Sequence, residues 1–189
     1  MGHNVRLRNI IEDDWSGITE LESRTYTVND LSEEREVLES RSHASPETCF
    51  VLEFEHEIVG YALALPYPIF RYPDLGRTED TVFRSRNLHL HDFVIAEEFQ
   101  GRGWATYLLN HLADAARSKK YERISLIAVG GSKNFWSASG YEPYGEVELA
   151  PSYGANAVYM SMALHGDQAI HMKLGSSPMR GASRKGEVG

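Results

Sequence analysis

A glycine-rich turn between an apolar strand and an amphipathic helix is the feature that most constrains how this chain folds. The turn reads Gln100-Gly101-Arg102-Gly103-Trp104-Ala105 and follows the apolar run Phe93-Val94-Ile95. From Trp104 onward, apolar residues recur at the spacing of one helix face. A glycine backbone can approach an anion closely, and the first N–H groups of a helix lack intrahelical partners. The pattern is therefore typical of a phosphate-binding turn, although a turn that only joins strand to helix is an alternative.

The spacing excludes two common nucleotide-binding motifs. A dinucleotide-binding fingerprint needs a third glycine and a later acidic residue, and a P-loop ends in Gly-Lys-Ser/Thr; neither is present. The segment instead resembles the pyrophosphate-binding motif Gln/Arg-x-x-Gly-x-Gly/Ala of the GCN5-related N-acetyltransferase (GNAT) superfamily, with Gln100, Gly103 and Ala105 at its three defined positions. The resemblance runs from the strand Val5-Arg6-Leu7-Arg8 to a closing strand at 157–164.

Two further segments resemble one branch of that superfamily, the serotonin (arylalkylamine) N-acetyltransferases. The strand His89-Leu90-His91-Asp92-Phe93-Val94-Ile95 carries the same His-Leu-His at the same distance from Gln100. The segment Phe135-Trp136-Ser137-Ala138-Ser139-Gly140-Tyr141-Glu142-Pro143 resembles that family's Phe-Tyr-x-x-x-Gly-Phe-x-Pro. Trp136 stands where the family has a tyrosine, which is commonly assigned to protonating the departing thiolate. The resemblance therefore supplies no general acid.

The resemblance implies a fold, a co-substrate and the residues that bind it. The fold is a mixed α/β, GNAT-like fold, with a central mixed sheet flanked by helices and splayed at the strand that carries Phe93–Ile95. The co-substrate is acetyl-CoA, whose thioester carbonyl is polarised by backbone groups of that strand. Helix capping is an alternative role for Asn134. The predicted binding residues are Phe93, Val94, Ile95, Gln100, Gly101, Arg102, Gly103, Trp104, Ala105, Asn134 and Trp136.

His89 and His91 are the candidate catalytic residues. Strand alternation predicts that both lie on the face that holds Phe93 and Ile95, about 7 Å apart at ~3.3 Å per residue. An alkylammonium must lose a proton before its nitrogen attacks a thioester, and histidine, which titrates near 6.5, can accept that proton directly or through water. A structural role for two half-buried strand histidines is the alternative. Metal ligation by this pair lacks a clear third ligand, so no metal is predicted.

The remaining elements predict the order strand–helix–helix–strand–strand–strand–helix–strand–helix–strand. Asp30 and Glu33 form a plausible capping pair for the second helix. The connection 66–87 is long and bears Tyr67, Phe70 and Tyr72. Because long loops are often functional, these aromatics are predicted to form part of the acceptor pocket, with surface packing as the alternative.

Length, charge and cysteine content narrow the class of protein. With 189 residues, 42% of them hydrophobic, the chain can build one core, and we predict a single N-acetyltransferase domain over 1–165 with a disordered tail over 166–189. A net charge of −8 disfavours a nucleic-acid partner and favours a cationic substrate. The single cysteine, Cys49, excludes an internal disulfide and is predicted to be buried rather than nucleophilic. No membrane partner is predicted, because no long apolar segment is present, and the expected location is cytoplasmic.

The sequence thus predicts an acetyl-CoA-dependent enzyme that transfers an acetyl group directly to a primary amine. A small aryl- or alkylamine is the favoured acceptor. A peptide or protein amine is the enzymatic alternative, and a noncatalytic acyl-CoA-binding module is the alternative from another class. The oligomeric state is left open between monomer and homodimer.

Overall fold

The computed structural model describes residues 5–26 and 31–164, and these form one twisted sheet with helices on both faces. Its strands are β1 (Val5–Asn9), β2 (Phe50–Phe54), β3 (Glu57–Pro66), β4 (Asn87–Ile95), β5 (Arg123–Ala128), β6 (Glu142–Tyr144) and β7 (Val158–Ala163). Its helices are α1 (Trp15–Tyr26), α2 (Arg35–Ala44), α3 (Trp104–Ser118) and α4 (Lys133–Ala138).

The sheet is mixed, and its strand order is β1-β2-β3-β4-β5-β7-β6. In this sheet β4 and β5 pair in parallel, and the other neighbouring pairs are antiparallel. The connection between these two parallel strands contains α3, since parallel neighbours are usually joined by a helix that packs on the sheet. This arrangement confirms the predicted mixed α/β fold.

Each face of the sheet carries its own hydrophobic core. Leu108, Leu109 and Leu112 of α3 pack with alternate residues of β3, β4 and β5 on one face. On the other face, Ile18 of α1 and Leu38 of α2 pack against the opposite residues of β2, β3 and β4. The period of 3.6 in the helices and of 2 in the strands brings these apolar sets together.

The predicted order of elements is correct except for one additional strand, β6. This strand has three residues and contains Pro143, so it carries too little pattern to be predicted from sequence. Glu33 does not cap α2, which begins after Glu34, because its carboxylate binds buried groups instead. Asp30 and the predicted tail 166–189 lie outside the described residues.

No helix within residues 5–26 and 31–164 is long and apolar enough to cross a membrane.

Candidate active site

The sheet opens where β4 and β5 separate. Asn87–Leu90 pair with Arg123–Leu126, whereas residues 91–95 of β4 have no partner on β5. A cavity of about 1270 Å³ lies at this opening. It is lined by the separated strands together with residues of α1, the glycine turn, α3 and α4. One continuous cavity therefore connects the glycine turn with the histidine-bearing part of β4.

The glycine turn has a backbone that only glycine adopts readily. Gly101 has φ 72° and Gly103 has φ 84°, and both line the cavity. Apart from the adjoining residues of the chain, no heavy atom lies within 4 Å of the position that a Cβ would take on either glycine. The surface above the turn is thus open, and any side chain there would fill space that an anion could occupy.

The first turn of α3 supplies donors at the same place. The first helical hydrogen bond runs from the Tyr107 N–H to the carbonyl of Gly103, and the earliest amides of a helix generally lack an acceptor within the helix. No acidic side chain lies in this first turn to offset the positive end of the helix dipole. Gln100 Nε2 donates to the Ile95 carbonyl at 3.0 Å, which fixes the turn to the end of β4. These features fit the pyrophosphate of a CoA molecule.

Several predicted CoA-binding residues line the cavity and others do not. Arg102 lies over the Phe99 ring at 5.4 Å, Val94 faces the core beneath α1, and Asn134 is exposed on α4. Trp104 packs against the Tyr107 ring. The predicted residues that line the cavity are Phe93, Ile95, Gln100, Gly101, Gly103, Ala105 and Trp136.

Trp136 lies between the cavity and the core. Its indole packs edge-on against Phe93, Phe135 and Tyr141, with ring centroids 5.5, 4.9 and 5.4 Å away. The Tyr141 hydroxyl beside it is buried and has no hydrogen-bond partner among the described residues. Burial raises the pKa of Tyr141 above its usual value, which makes that phenol a weaker acid.

A β-bulge changes where the two histidines point. Leu63 pairs with Asp92 and Ala64 with Leu90, so His91 is an extra residue in β4. The prediction that both histidines share a face with Phe93 and Ile95 is therefore wrong for His89. His89 pairs with Leu65, on the same face as Leu63 and Asp92, because the bulge reverses the alternation between the two ends of the strand.

His89 is enclosed by polar and aromatic neighbours. Its Nδ1 lies 3.0 Å from Ser125 Oγ, and its ring stacks near Tyr159 and Tyr67. The residue is 1% exposed and does not line the cavity. Burial, followed by repulsion from His91, holds its pKa well below the ordinary histidine value.

His91 lines the cavity and pairs with a glutamate. Its Nε2 lies 2.5 Å from Glu33 Oε2, whereas its Nδ1 is buried and has no hydrogen-bond partner among the described residues. The imidazole centroids of His89 and His91 are 6.4 Å apart. Burial and the nearby Arg41 charge hold the pKa of His91 well below its usual value.

Three buried carboxyl groups surround this end of the cavity, and all of them line it. Glu22 accepts hydrogen bonds from Ser32 Oγ and from the Glu33 N–H, each at 2.7 Å. Asp92 accepts from the Tyr61 hydroxyl at 2.5 Å and the Tyr26 hydroxyl at 2.7 Å. Burial raises the pKa of Asp92 to about 7 and that of Glu33 to about 7, and it also raises the pKa of Glu22.

The sequence interpretation missed this carboxyl cluster. Its members come from α1, the segment before α2, and β4, which are distant in sequence. One signal was present: Glu22 follows Ile18 by four residues, so helix periodicity places it on the buried face of α1. Another was Asp92, a carboxylate inside an apolar strand.

The three aromatics of the 66–87 connection lie outside the cavity lining. Tyr67 packs against Phe83 and His89, and Phe70 against Tyr144 and Tyr159. The Tyr72 hydroxyl donates to the Glu148 carbonyl and accepts from the Ala150 N–H. This connection instead contributes Leu75 to the cavity, and Tyr153, which packs edge-on against Tyr72, also lines it.

Among residues 5–26 and 31–164, no three His, Cys, Asp or Glu side chains are grouped so that they could hold a metal ion.

The separated strands, the open glycine turn and the cavity define a mixed α/β protein with a large cleft at the opening of its sheet. A family model described as the acetyltransferase (GNAT) family matches residues 15–145, and the chain belongs to this family. A search of curated protein sequences found no match.

Several solved structures share the fold at low sequence identity. The loading GNATL domain of CurA from Lyngbya majuscula matches with a TM-score of 0.70 and 16% identity, over 85% of this chain and 98% of that one. N-acetylglutamate synthase from Neisseria gonorrhoeae, complexed with coenzyme A and N-acetyl-glutamate, matches with a TM-score of 0.67 and 20% identity. The match covers 88% of this chain and 36% of that one. The ribosomal-protein-S18-alanine N-acetyltransferase from Escherichia coli matches with a TM-score of 0.61 and 12% identity. The match covers 85% of this chain and 94% of that one.

Proposed function

We propose that this chain transfers an acetyl group from acetyl-CoA directly to a primary amine, with a small aryl- or alkylamine as the acceptor. The observation that carries the proposal is the single cavity that extends from the glycine turn to His91 and three buried carboxyl groups. One end is suited to an anionic co-substrate and the other to a cationic acceptor.

The glycine turn and β4 are assigned to the co-substrate. The backbone of Gly101 and Gly103, with the first turn of α3, would hold the pyrophosphate. The unpaired edge of β4 from 91 to 95 would hold the pantetheine arm, and Trp136 would cover it. Acetyl-CoA supplies the thioester, and the N–H groups of β4 would polarise its carbonyl. Arg102, Trp104 and Asn134 are kept as candidates at the rim.

The acidic end of the cavity is assigned to the amine. Buried carboxyl groups attract an ammonium, and its positive charge would in turn lower their raised pKa values. Of the two candidate histidines, His91 lines this end of the cavity and is proposed to take the proton that the ammonium must lose before attack, whereas His89 is buried behind it. Tyr67, Phe70 and Tyr72 stay candidates for contacts with acceptors that extend beyond the cavity.

Direct transfer, without an acetyl-enzyme, is favoured by the position of Cys49. Its thiol is 0% exposed, lies outside the cavity lining, and has a pKa raised to about 12 by burial. A thiol so far from ionisation is a poor nucleophile.

A screen of acceptor classes tests this function. Purified protein would be incubated with acetyl-CoA and, in turn, arylalkylamines, aliphatic amines, amino acids, and peptides with free amino termini, while free thiol is measured. We expect release of CoA to depend on the amine and to be fastest with small arylalkylamines. Faster release with peptides would favour a peptide or protein amine as acceptor, the class that the name of the Escherichia coli enzyme indicates for that relative.

Trp136 is the observation that favours a noncatalytic acyl-CoA-binding module, because its indole cannot protonate a thiolate. We expect Trp136→Tyr to raise turnover, since a phenol at the cavity wall can donate a proton, and to leave acetyl-CoA affinity within a few-fold. Steady-state kinetics and calorimetry measure the two effects. If parent and variant both bind acetyl-CoA and neither releases CoA with any amine, the binding module becomes the better account.

The proposal extends to the whole protein in three respects. Residues 1–165 are proposed to act as one catalytic domain, with 166–189 as a tail that takes no part in catalysis. A cytoplasmic location is proposed because the single cysteine offers no internal disulfide. The protein is proposed to act without nucleic-acid or membrane partners.

A further inference from the structure

We propose that Glu33 orients His91 so that Nδ1 of this histidine accepts the proton of a cationic primary amine bound at the acidic end of the cavity. The inference rests on the proposed amine acetylation and identifies the residues that perform the proton transfer. Glu33 is then a positioning residue, and His91 is the catalytic one.

The contact between Glu33 and His91 selects one tautomer of the imidazole. A carboxylate can only accept hydrogen bonds, so Oε2 of Glu33 at 2.5 Å requires the proton of a neutral His91 to reside on Nε2. The other nitrogen, Nδ1, then carries a lone pair. Nδ1 is buried and has no partner among the described residues, in a side chain that is 2% exposed and lines the cavity. A buried acceptor without a partner is costly, and an ammonium donor would satisfy it.

Glu33 is itself held in place by a buried arginine. Nη2 of Arg41 donates to Oε1 of Glu33, so the two carboxylate oxygens serve different partners. Arg41 is 0% exposed, and its guanidinium also donates to the carbonyls of Asp74 and Arg77 at 2.9 and 3.2 Å. The arginine is therefore fixed by main-chain acceptors and keeps Glu33 aimed at His91.

His89 does not have the geometry of a proton acceptor for a ligand in this cavity. Its Nδ1 already bonds to Ser125 Oγ, which also accepts from Asn87 Nδ2. The bulge turns its ring to a different face from Phe93, and the ring is absent from the cavity lining. His89 supports the packing around His91 rather than contacting the amine.

The lining near His91 indicates the class of amine. Tyr26, Leu31, Leu75 and Tyr153 line the same cavity with aromatic and aliphatic side chains, and the Tyr26 hydroxyl donates to Asp92. Glu22 and Asp92 each already accept two hydrogen bonds from protein groups. This end of the cavity therefore suits an acceptor with one ammonium group and an apolar body rather than a polyamine.

Proton transfer to His91 precedes acetyl transfer. The ammonium gives one proton to Nδ1 of His91, and the carboxylate of Glu33 offsets the charge of the resulting imidazolium. The freed nitrogen lone pair forms the bond to the thioester carbonyl carbon, and the carbon–sulfur bond breaks with its electron pair on sulfur. The second proton lost by the nitrogen ends on the thiolate, and His91 returns its proton to solvent.

The protonation state of Glu33 determines whether Nδ1 of His91 can accept a proton. A protonated Glu33 donates to Nε2 and moves the histidine proton to Nδ1, so Nδ1 becomes a donor and can no longer accept the proton of the amine. The groups that bear on this equilibrium are Arg41 from α2, Asp74 and Glu79 from the connection, Glu22 from α1, and His91 and Asp92 from β4. Because the pKa of Glu33 is raised to about 7, kcat/KM should rise with pH through about 7.

Glu33→Gln tests the proposal, with Glu79→Gln as the matched control. Glu79 also faces Arg41, at 3.8 Å, but it does not touch His91 or line the cavity. We expect Glu33→Gln to lower kcat/KM for the amine roughly 10²-fold, to abolish the rise near pH 7, and to leave acetyl-CoA affinity unchanged. Glu79→Gln should keep the rise of kcat/KM with pH, with at most a small shift of its midpoint, because Glu79 acts on Glu33 only through its charge. In a His91→Asn background, Glu33→Gln should cause no further loss.

A measurement on the folded protein separates this inference from the proposed function. Nitrogen-15 NMR of labelled histidine distinguishes the two tautomers, with His89 as an internal reference. We expect His91 to carry its proton on Nε2 above about pH 7 in the parent and to lose this pH-dependent switch in Glu33→Gln. A proton on Nδ1 at about pH 8, or a parental pH–rate curve in Glu33→Gln, would overturn the inference. Failure to find an acceptor amine would count against the enzyme assignment alone, because the tautomer is observed without turnover.

Discussion

At the scale of residues, the proposed binding of acetyl-CoA rests on single residues of the glycine turn. Gly103, the residue before α3, has a positive φ and open space at the position of a Cβ. The sequence was sufficient to predict this turn, because a Gly-x-Gly spacing between a strand and a helix is readable locally. The open space could not be predicted in the same way, since it depends on where the rest of the chain lies.

Gly103→Asp should weaken acetyl-CoA binding by at least about tenfold, because it adds bulk and a like charge where the pyrophosphate would approach. Gly103→Asn separates the two causes, since asparagine has similar bulk, tolerates a left-handed backbone and carries no charge. Gly145→Asp adds the same charge at an exposed glycine outside the cavity and should have no effect. Calorimetry with acetyl-CoA measures all three. Unchanged affinity in a folded Gly103→Asp protein would refute the assignment of the turn.

At the scale of elements, periodicity predicted the helices and strands but not the bulge in β4. A bulge adds one residue to a strand without changing its hydrophobic pattern in a recognisable way. In β4 the residues on both sides of the bulge are apolar, namely Leu88 and Leu90 before it and Phe93 and Ile95 after it. The prediction of the strand was therefore correct, and the side assigned to His89 was wrong. The pairing of β4 with β3 determines which face His89 occupies, and this pairing depends on the tertiary structure rather than on the local sequence.

Helix α1 joins the core to the acidic end of the cavity, because the face that buries Ile18 continues to Glu22 and Tyr26. Ile18→Ala should lower the free energy of unfolding by about 2–5 kcal/mol, since it leaves a cavity at a 0% exposed site. Glu20→Ala on the exposed face should change it by less than about 0.5 kcal/mol. Urea denaturation compares the two variants. If both substitutions lowered the free energy of unfolding by the same small amount, Ile18 would not anchor α1 to the core.

At the scale of the molecule, the fold was predictable and the acidic end of the cavity was not. The mixed sheet follows from the order and period of the elements together with the family resemblance. The carboxyl cluster forms only when α1, β4 and the segment before α2 meet, and a glutamate in a charged run such as Glu33-Glu34 reads as solvated from sequence alone. The buried Arg41 pairs with Glu33 and offsets the cost of burying its charge. This pairing cannot be predicted from the spacing of the two residues in the sequence.

The cluster makes stability depend on pH in a defined direction. Asp92 has a pKa of about 7 in the fold, above its unfolded value, so the native state binds an extra proton between these values. The protonated Asp92 therefore contributes to the free energy of unfolding at low pH, and this contribution is lost as the pH rises through about 7. Relative to Asp92→Asn, the parent should lose at least about 1 kcal/mol between about pH 5 and about pH 8, since one pKa unit corresponds to about 1.4 kcal/mol.

Asp14→Asn serves as the control for that measurement. The pairing of Asp14 with Arg8 at 2.6 Å lowers its pKa, despite partial burial, so its titration lies below this pH range. The difference in unfolding free energy between the parent and Asp14→Asn should therefore stay constant from about pH 5 to about pH 8. A parent-to-Asp92→Asn difference that is equally flat would show that Asp92 is not held in a raised-pKa state.

Acetyl transfer to an amine is the central claim, and joint quantification of both products tests it most directly. Purified protein would be mixed with acetyl-CoA and the best arylalkylamine of the screen, and free CoA and acetylated amine would be measured by mass spectrometry over one time course. The account predicts one acetylated amine for each CoA released, with no acetylated protein before the amine is added. CoA released without acetylated amine, or tight acetyl-CoA binding with no product from any amine, would contradict it.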